Sequence, residues 1–278
     1  MCAQNNSLSF TIQFQQELIS YQYRKKYGIF LKTKKEIEAI RKSCRLAAAI
    51  LKKTCDQVKV GVTTNELNDY AHSLMLEANA IPGPLGYGMP PFPKSICTSI
   101  NDVVCHGIPN DIPLKQGDII NIDITCNLNG YYGDCSKMVA LEPIDTEKSK
   151  VIKVSYECLH EVFTILKPGL FIFEIAERIE SHADLHKCSV VRQFVGHGIG
   201  THLHEPPQIP HSYNTLKIPL AAGMIFAIEP MINAGSADIM IDAEDKWTAR
   251  TVDKKPSAQW EHTFLITEEG CEILTTLD

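Results

Sequence analysis

The chain has 278 residues, a net charge of −6 and 44% hydrophobic residues, as expected of a soluble globular protein with one large domain or two modest ones. Its acidic balance argues against a DNA-binding surface, its apolar runs are too short to span a membrane, and MCAQNNSLSF lacks signal-peptide features. We therefore expect a cytoplasmic protein, in which ten cysteines without a C-x-x-C pair are reduced thiols.

Residues 1–31 precede the periodic part of the chain and are predicted to form an N-terminal extension. They lack the paired cysteines and histidines of a zinc finger. The basic run Arg24-Lys25-Lys26 has two interpretations, a contact with ribosomal RNA or a solvated turn, and we favour the solvated turn.

Two amphipathic helices are predicted after the extension. The pair Thr33 and Glu36 and the pair Thr63 and Glu66 each have capping-box spacing, and Gly61 is predicted to end the first helix. The apolar residues that follow each box predict two buried stripes, Ile37, Ile40, Cys44, Ala47 and Leu51 in the first helix and Leu67, Tyr70, Leu74 and Ala78 in the second.

A Pro- and Gly-rich loop at 82–93 leads into strands at about 95–140, where NIDITCNLNGYYGDC (121–135) is typical of a β-hairpin with a tight Asn-Gly turn. A turn centred on Leu128-Asn129 puts Asp123 directly opposite Asp134, and a turn centred on Asn129-Gly130 makes them diagonal neighbours. Both registers put the carboxylates on one face, where a proton or a shared cation must offset their repulsion. The alternative is a solvent-facing pair, although the flanking isoleucines favour a buried strand.

Two more helices, at about 146–167 and 172–187, are followed by strands and loops, so the chain repeats the order of a helix pair and then strands. Three segments match in the same order. VKVGVTTNEL (58–67) aligns with LKPGLFIFEI (166–175), an HGI triplet occurs at 106–108 and 197–199, and IPLKQGDIINID (112–123) aligns with IPLAAGMIFAIE (218–229). We therefore predict two related halves, with Asp123 and Glu229 at equivalent places around a pseudo-two-fold axis.

Two other residues are candidates to join these acids. Glu261 lies in the β-like run AQWEHTFLIT (258–267) and is predicted to stand to Glu229 as Asp134 stands to Asp123, and His197 lies in GHGIG. Four carboxylates and one imidazole would be neutralised by two divalent cations, and these ligand types suit Mn, Fe, Co or Zn. Taken singly, a glycine-flanked histidine is more often a loop residue and a strand acid is usually solvated.

On the motifs NIDIT with YYGD, GHGIG, AIEP and QWEHT, the chain resembles the type I methionine aminopeptidases of the bacterial kind over about residues 32–277. The resemblance implies an α+β pita-bread fold, a single catalytic domain at 32–278 whose pseudo-symmetric halves, about 32–140 and 141–278, have helices outside a central antiparallel sheet. It also implies two divalent metal ions, bridged by two of the ligands, Asp134 and Glu261. The full ligand set it implies is Asp123, Asp134, His197, Glu229 and Glu261.

The same resemblance implies removal of the N-terminal methionine from new chains emerging from ribosomes, when the second residue is small. A metal-bridging hydroxide would attack the first peptide carbonyl. His106 in VCHGIP would lie near the amine and the scissile nitrogen, His204 in HLHEPP would contact the carbonyl, and Glu229 would relay a proton to the leaving amine. Both histidines could instead be loop residues. We expect a monomer with a transient ribosome contact.

The methionine pocket implied by the resemblance falls on Cys97 in KSICTS, Phe92 before Pro-Lys and Trp247 in KWTAR. Two positions depart from the family pattern. Leu203 stands where many bacterial members have an aromatic residue, and GYGMPPFPK makes the pocket tyrosine ambiguous, with Tyr87 our choice. The alternative for Trp247 and Phe92 is plain core packing.

Three competing interpretations fit the sequence less well. Proline-specific relatives usually carry a sizeable N-terminal domain, and type II methionine aminopeptidases carry a long insertion between the ligand histidine and the next glutamate. Here the first helix pair and its loop account for the residues before the catalytic strands, and only 32 positions separate His197 from Glu229. A metal-free binding protein on the same scaffold would be expected to have lost ligands, and all five are present.

Overall fold

The computed structural model of the chain describes the backbone of residues 2–277 and the side chains of residues 15–277. In this part of the chain the helices are α1 (Cys2–Tyr27), α2 (Lys34–Cys55), α3 (Thr64–Glu77), α4 (Thr146–Phe163) and α5 (Ile172–Leu185). The strands are β1 (Ile81–Pro82), β2 (Cys97–Ile100), β3 (Val103–Cys105), β4 (Ile119–Leu128), β5 (Tyr131–Ala140), β6 (Ser189–Val190), β7 (Val195–Gly198), β8 (Glu205–Pro210), β9 (Ile225–Ile228), β10 (Met231–Asn233), β11 (Ile239–Ile241), β12 (Ala249–Thr251), β13 (Ser257–Gln259), β14 (His262–Ile266) and β15 (Cys271–Ile273).

Two antiparallel sheets make the centre of the molecule. One has the order β1-β4-β2 with β5 paired to β4, and the other has the order β15-β14-β9-β7-β8. They meet where Ser136 and Glu261 exchange two backbone hydrogen bonds, each 3.3 Å long. The pair α2 and α3 shares one buried core with β4, and α4 and α5 share another with β9 and β14. This arrangement confirms the predicted α+β architecture of helices outside a central antiparallel sheet.

The first helix pair begins as predicted and differs in where α2 ends. Both capping boxes are formed, by Thr33 with Glu36 and by Thr63 with Glu66. However, α2 ends at Cys55, so the prediction that Gly61 ends it is wrong. The intervening segment leaves the helix to pair with the chain before β4, because the Gly61 N–H donates to the Leu114 carbonyl at 2.8 Å.

The buried face of α3 also differs from the predicted one. Leu67 is buried as expected, but Ala71 and Met75 complete the buried stripe, and Tyr70, Leu74 and Ala78 are only half-buried. The helix is rotated because polar side chains share its inner face. Asn68 Oδ1 accepts a hydrogen bond from the Ser95 N–H at 2.8 Å, a buried contact that apolar periodicity does not reveal.

The duplication is visible in the hydrogen bonds. Gly61 bonds to Leu114 in the first half, and their aligned counterparts Gly169 and Leu220 bond in the second half, with N···O distances of 2.8 Å in both. The isolated bridges also match, since Thr63 pairs with Pro113 and the aligned Phe171 pairs with Pro219. The two halves therefore share backbone geometry as well as sequence, which confirms the predicted repeat.

Helix α1 and the residues after it contact the second half. The Tyr23 hydroxyl donates to the Pro219 carbonyl at 2.8 Å, Ile29 is buried in the core of α4 and α5, and the Lys32 ammonium pairs with the Glu205 carboxylate. Arg24-Lys25-Lys26 are exposed, as predicted, but they form the last turn of α1, so the predicted turn is wrong. Cations are favourable there because the carbonyl end of a helix carries partial negative charge.

In the described part of the chain, the helices lack the combination of length and hydropathy that crossing a membrane requires.

Candidate metal centre and substrate cavity

The hairpin turns at Asn129-Gly130, whose φ angles are 54° and 86°. Leu128 therefore pairs with Tyr131 and Thr125 pairs with Asp134, so Asp123 and Asp134 are diagonal neighbours on one face. This is the second of the two predicted registers. The alternative of a solvent-facing pair is wrong, because Asp134 is only 5% exposed.

The acids of the second half have a different offset. In the ladder of β9 and β14, Ile228 pairs with His262, and one further residue puts Glu229 directly opposite Glu261. The prediction that Glu261 is the counterpart of Asp134 is therefore wrong by two residues along the strand. By register its counterpart is Ser136, the residue it bridges where the two sheets meet.

His197 lies in the middle of β7, between β8 and β9, so it is not the loop residue of the alternative interpretation. Its flanking glycines let three strands approach closely. A Cβ at Gly196 would lie 2.3 Å from the Ala227 carbonyl oxygen, and one at Gly198 would lie 2.3 Å from the Pro206 carbonyl oxygen. The GHGIG motif thus packs a histidine inside a sheet where larger neighbours would not fit.

The five candidate ligands converge. His197 Nε2 lies 3.5 Å from Glu229 Oε1 and 3.7 Å from Asp134 Oδ2. One ligand atom each from Asp134, His197 and Glu261 falls within 4.8 Å of the others, and all three residues are buried. The Oε1 atom of Glu261 is buried without a hydrogen-bond partner, which is costly unless a cation or a proton satisfies it.

Burial sets the protonation of this cluster. It raises the pKa of Asp123, Glu229 and Glu261 well above their usual values, and the neighbouring carboxylates add to the rise. Burial also raises the pKa of Asp134 to about 7 and lowers that of His197 to about 3. Like charges held together in an apolar interior make a strong cation site, because bound cations supply the charge that solvent cannot.

Three supporting residues were missed from the sequence. Thr125 Oγ1 donates to Asp134 Oδ1 at 2.8 Å, Gln259 Nε2 donates to Glu229 Oε2 at 2.9 Å, and His211 Nε2 accepts from the Glu229 N–H at 3.3 Å. Thr125 and Gln259 lie two residues from a candidate ligand, so strand alternation could have placed them on its face. No local pattern points to His211.

A cavity of about 540 Å³ opens onto the cluster. It is lined by the five candidate ligands and by every residue predicted for the substrate side, namely Tyr87, Phe92, Cys97, His106, Leu203, His204 and Trp247. Cys97 reaches it because β2 pairs with β4 so that Cys97 lies opposite Asp123. Phe194, which the sequence analysis missed although it stands three residues before His197, also lines the cavity.

Aromatic side chains build the apolar wall. The Phe92 and Trp247 rings meet edge to face at 5.4 Å, and Trp247 Nε1 donates to the Pro90 carbonyl at 2.9 Å. His106 packs edge to face against Phe194 at 5.0 Å. Phe92 is 2% exposed, so it lines the cavity while also packing as a core residue does.

The two auxiliary histidines are neutral at neutral pH, because burial lowers the pKa of His106 to about 4 and also lowers that of His204. His204 Nδ1 is hydrogen-bonded to the Tyr87 hydroxyl, and its ring packs edge to face on His197 at 4.1 Å. Both histidines therefore line the cavity as neutral hydrogen-bonding groups beside the carboxylates.

The chain matches the model of metallopeptidase family M24 over residues 38–268. It is 54% identical over 256 residues to the methionine aminopeptidase of Chlamydia trachomatis, covering 92% of this chain and 88% of that protein. The crystal structure of the methionine aminopeptidase from Rickettsia prowazekii superposes with a TM-score of 0.86 at 46% identity, covering 89% of this chain and all of that one. The prolidase of Pyrococcus furiosus, at 21% identity and a TM-score of 0.70 over 89% of this chain and 66% of that one, shares the fold.

Proposed function

The chain belongs to metallopeptidase family M24 and, within it, to the methionine aminopeptidases, and on this premise we propose that it removes the N-terminal methionine from newly made proteins whose second residue is small. The observation that carries the proposal is the contact between an apolar cavity of about 540 Å³ and a buried cluster of four carboxylates and one imidazole. The cavity suits a methionine side chain, and the cluster suits peptide hydrolysis.

The proposed metal ligands are Asp123, Asp134, His197, Glu229 and Glu261. Buried carboxylates with an unpartnered Glu261 oxygen fit divalent cations, and one imidazole among them suits Mn, Fe, Co or Zn. We propose that these five residues would hold two ions, because four carboxylates carry a formal charge of −4 that two divalent cations would offset. When bound, such ions supply Lewis-acid polarisation of the scissile carbonyl and a water of lowered pKa.

The protein's own residues then position the substrate and move protons. We assign His204, held by the Tyr87 hydroxyl, to a hydrogen bond with the substrate carbonyl, and His106 to the amine side. Both suit these roles because they are neutral and line the cavity. Glu229, oriented by Gln259 and the backbone, is assigned to carry a proton to the leaving amine.

Selectivity for methionine is assigned to Cys97, Phe92, Trp247, Leu203 and Tyr87. The aromatic and sulfur-containing side chains among them suit contact with an unbranched thioether. We add Phe194 to this set, because it lines the cavity and packs edge to face against His106.

We also propose that residues 1–31 are an extension to a single catalytic domain at 32–278, and the contacts of Tyr23 and Ile29 anchor its end to the second half. A monomer acting in the cytoplasm, with a transient ribosome contact, completes the proposal.

The test is hydrolysis of Met-Ala-Ser against Leu-Ala-Ser, Pro-Ala-Ser and an X-Pro dipeptide by protein stripped of metal and reloaded with Co, Mn, Fe or Zn. We expect cleavage of the methionine peptide alone, and only after reloading. Preference for the X-Pro dipeptide would favour the proline-specific relatives, and no hydrolysis with any of the metals would refute the proposal.

A further inference from the structure

A second group of ligand-type side chains lies between α4 and α5, away from the cavity. Glu157 comes from α4, His182 comes from the last turn of α5, and His186 is the C-cap residue that follows α5. One ligand atom from each lies within 4.8 Å of the other two, and in the described residues this is the sole such group besides the central one. All three residues are partly exposed, so solvent can reach the group.

The helices bring these side chains together for a simple reason. His186 caps α5 four residues after His182, and positions four apart on a helix share a face. Both rings therefore lie beside Glu157 of α4. One turn along the same seam, Arg178 forms an ordinary ion pair with Glu161 at 2.5 Å. At the equivalent place, Glu157 faces two histidines instead of an arginine. A simple ion pair is thereby replaced by three side chains that can bind a metal.

The distances are close to those of a metal site. His182 Nε2 lies 3.2 Å and His186 Nε2 lies 4.0 Å from the same oxygen, Glu157 Oε2, and the two rings lie 4.7 Å apart. Tetrahedral zinc, with bonds of about 2.0–2.2 Å, separates its ligand atoms by roughly 3.3 Å. The distance from His182 to Glu157 already matches this value, and the distance from His186 to Glu157 must shorten by about 0.7 Å, which partly exposed side chains allow.

We propose that Glu157, His182 and His186 bind one divalent transition-metal ion, with zinc the best match, and that the ion links α4 to α5. Two imidazoles and one carboxylate are a known zinc ligand set that leaves a fourth position for water. Lys153 Nζ lies 3.6 Å from the other oxygen, Glu157 Oε1, and is exposed, so it orients the carboxylate without occupying the metal position.

The link would act on the helix that supports the central site. On its inner side α4 contacts the chain just after Glu229, because the Ser155 hydroxyl donates to the Pro230 carbonyl at 3.0 Å. A metal between the helices would therefore stiffen the support of the second half. It is a structural site, independent of peptide hydrolysis.

The test counts bound metal in the full chain. The proteins compared are wild type, His182→Ala, His182→Arg and the control His160→Ala, which removes a histidine of α4 that lies outside the group. Each is stripped with chelator, dialysed against Zn²⁺ alone and analysed for zinc per chain. We expect wild type and His160→Ala to hold one equivalent more than either His182 variant. His182→Arg copies the neighbouring Arg178–Glu161 pair, so it keeps an ion pair to Glu157 while removing a metal ligand.

Cu²⁺ provides a second measurement, because it binds such sites tightly and reports its nitrogen ligands by electron paramagnetic resonance. Wild type should give a signal coupled to two imidazoles, in contrast to the single histidine of the central cluster, and His182→Arg should lose it. Equal zinc content in all four proteins, or a two-imidazole signal that persists in His182→Arg, would overturn the proposal. Peptide hydrolysis is measured in parallel, and its failure would bear on the proposed function alone.

Discussion

The two halves of the molecule supply two carboxylates each to one cluster, but they hold them differently. In the first half Asp123 and Asp134 are diagonal, and in the second half Glu229 and Glu261 are directly opposite. The longer glutamate side chains reach the cluster from a different offset. The two copies of the duplicated backbone therefore share the point where the carboxylates meet. They need not share the position of each acid in the strand ladder.

The halves also differ in how the acids are fixed. Asp134 accepts a hydrogen bond from Thr125, and Glu229 accepts one from Gln259. Glu261, which lies on the bridge between the sheets, keeps a buried oxygen without a partner. Each half thus fixes one acid by a side-chain hydrogen bond, and the second half also holds an acid with an unpartnered buried oxygen that a cation or a proton would satisfy.

The largest expected effect is a loss of metal binding in Asp134→Asn that Glu229→Gln does not share. Asp134 lies at the centre of the cluster, 3.7 Å from His197 Nε2, so Asp134→Asn is expected to lose both tight metal binding and hydrolysis of Met-Ala-Ser, by more than about 10³-fold. Glu229→Gln keeps a ligand oxygen and loses the proton carrier, so it should lose turnover while retaining metal.

Metal content by elemental analysis and turnover are measured on the same samples. The contrast between the halves fails if Asp134→Asn stays active, or if both variants lose metal equally.

A second comparison follows the stability of wild type and Asp134→Asn as a function of pH, with chelator present to remove metal. In the folded protein the pKa of Asp134 is raised from 3.8 to about 7, so its protonated form stabilises the fold below about pH 4, and this contribution is lost as pH rises towards 7. The free energy of unfolding of wild type relative to Asp134→Asn should therefore fall across that interval. The fall includes the part of the raised pKa of Asp123, Glu229 and Glu261 that the Asp134 charge causes.

Urea denaturation at a series of pH values measures this difference, and the buried histidines, which are common to both proteins, cancel to first order. Adding divalent metal should reverse the trend. A flat difference without metal would mean that Asp134 is not buried against its neighbours as described.

A smaller loss is expected where the hairpin meets α2. A Cβ at Gly133 would lie 2.5 Å from the Cys44 backbone nitrogen, so Gly133→Ala must push α2 away from the strand that carries Asp134. We expect a loss of about 2–4 kcal/mol in the free energy of unfolding. Gly270→Ala is the control, since its nearest neighbour, the Leu166 carbonyl oxygen, lies 4.0 Å from the added atom. Equal stabilities of the two variants would contradict this close contact.

The smallest effect tests the hydrogen bonds that fix one acid in each half. Thr125→Val removes the donor to Asp134, and Gln259→Leu removes the donor to Glu229. Each should weaken metal binding or turnover about 10–100-fold, with Thr125→Val acting mainly on affinity and Gln259→Leu mainly on turnover. Thr125→Ser keeps the hydroxyl and should behave as wild type, whereas matching losses in Thr125→Ser and Thr125→Val would point to packing instead.

Much of this organisation could be predicted from local patterns. Capping boxes at Thr33 and Thr63, the Asn-Gly turn and the aligned repeat all rest on contacts between residues near in sequence or on similarity between segments. The predicted inner face of α3 was wrong because Asn68 lies on it, hydrogen-bonded to the distant Ser95. Apolar periodicity cannot detect such a contact.

The sequence by itself determined the two halves, the residue types of the cluster and the face on which Asp123 and Asp134 lie, because strand alternation and turn chemistry are local. Only the tertiary structure decided the offset of Glu261, the contact of Ser136 with it, and the burial of His211 behind Glu229. These depend on how two sheets meet and on which side chains lose solvent there, and both are set by packing between residues far apart in the chain.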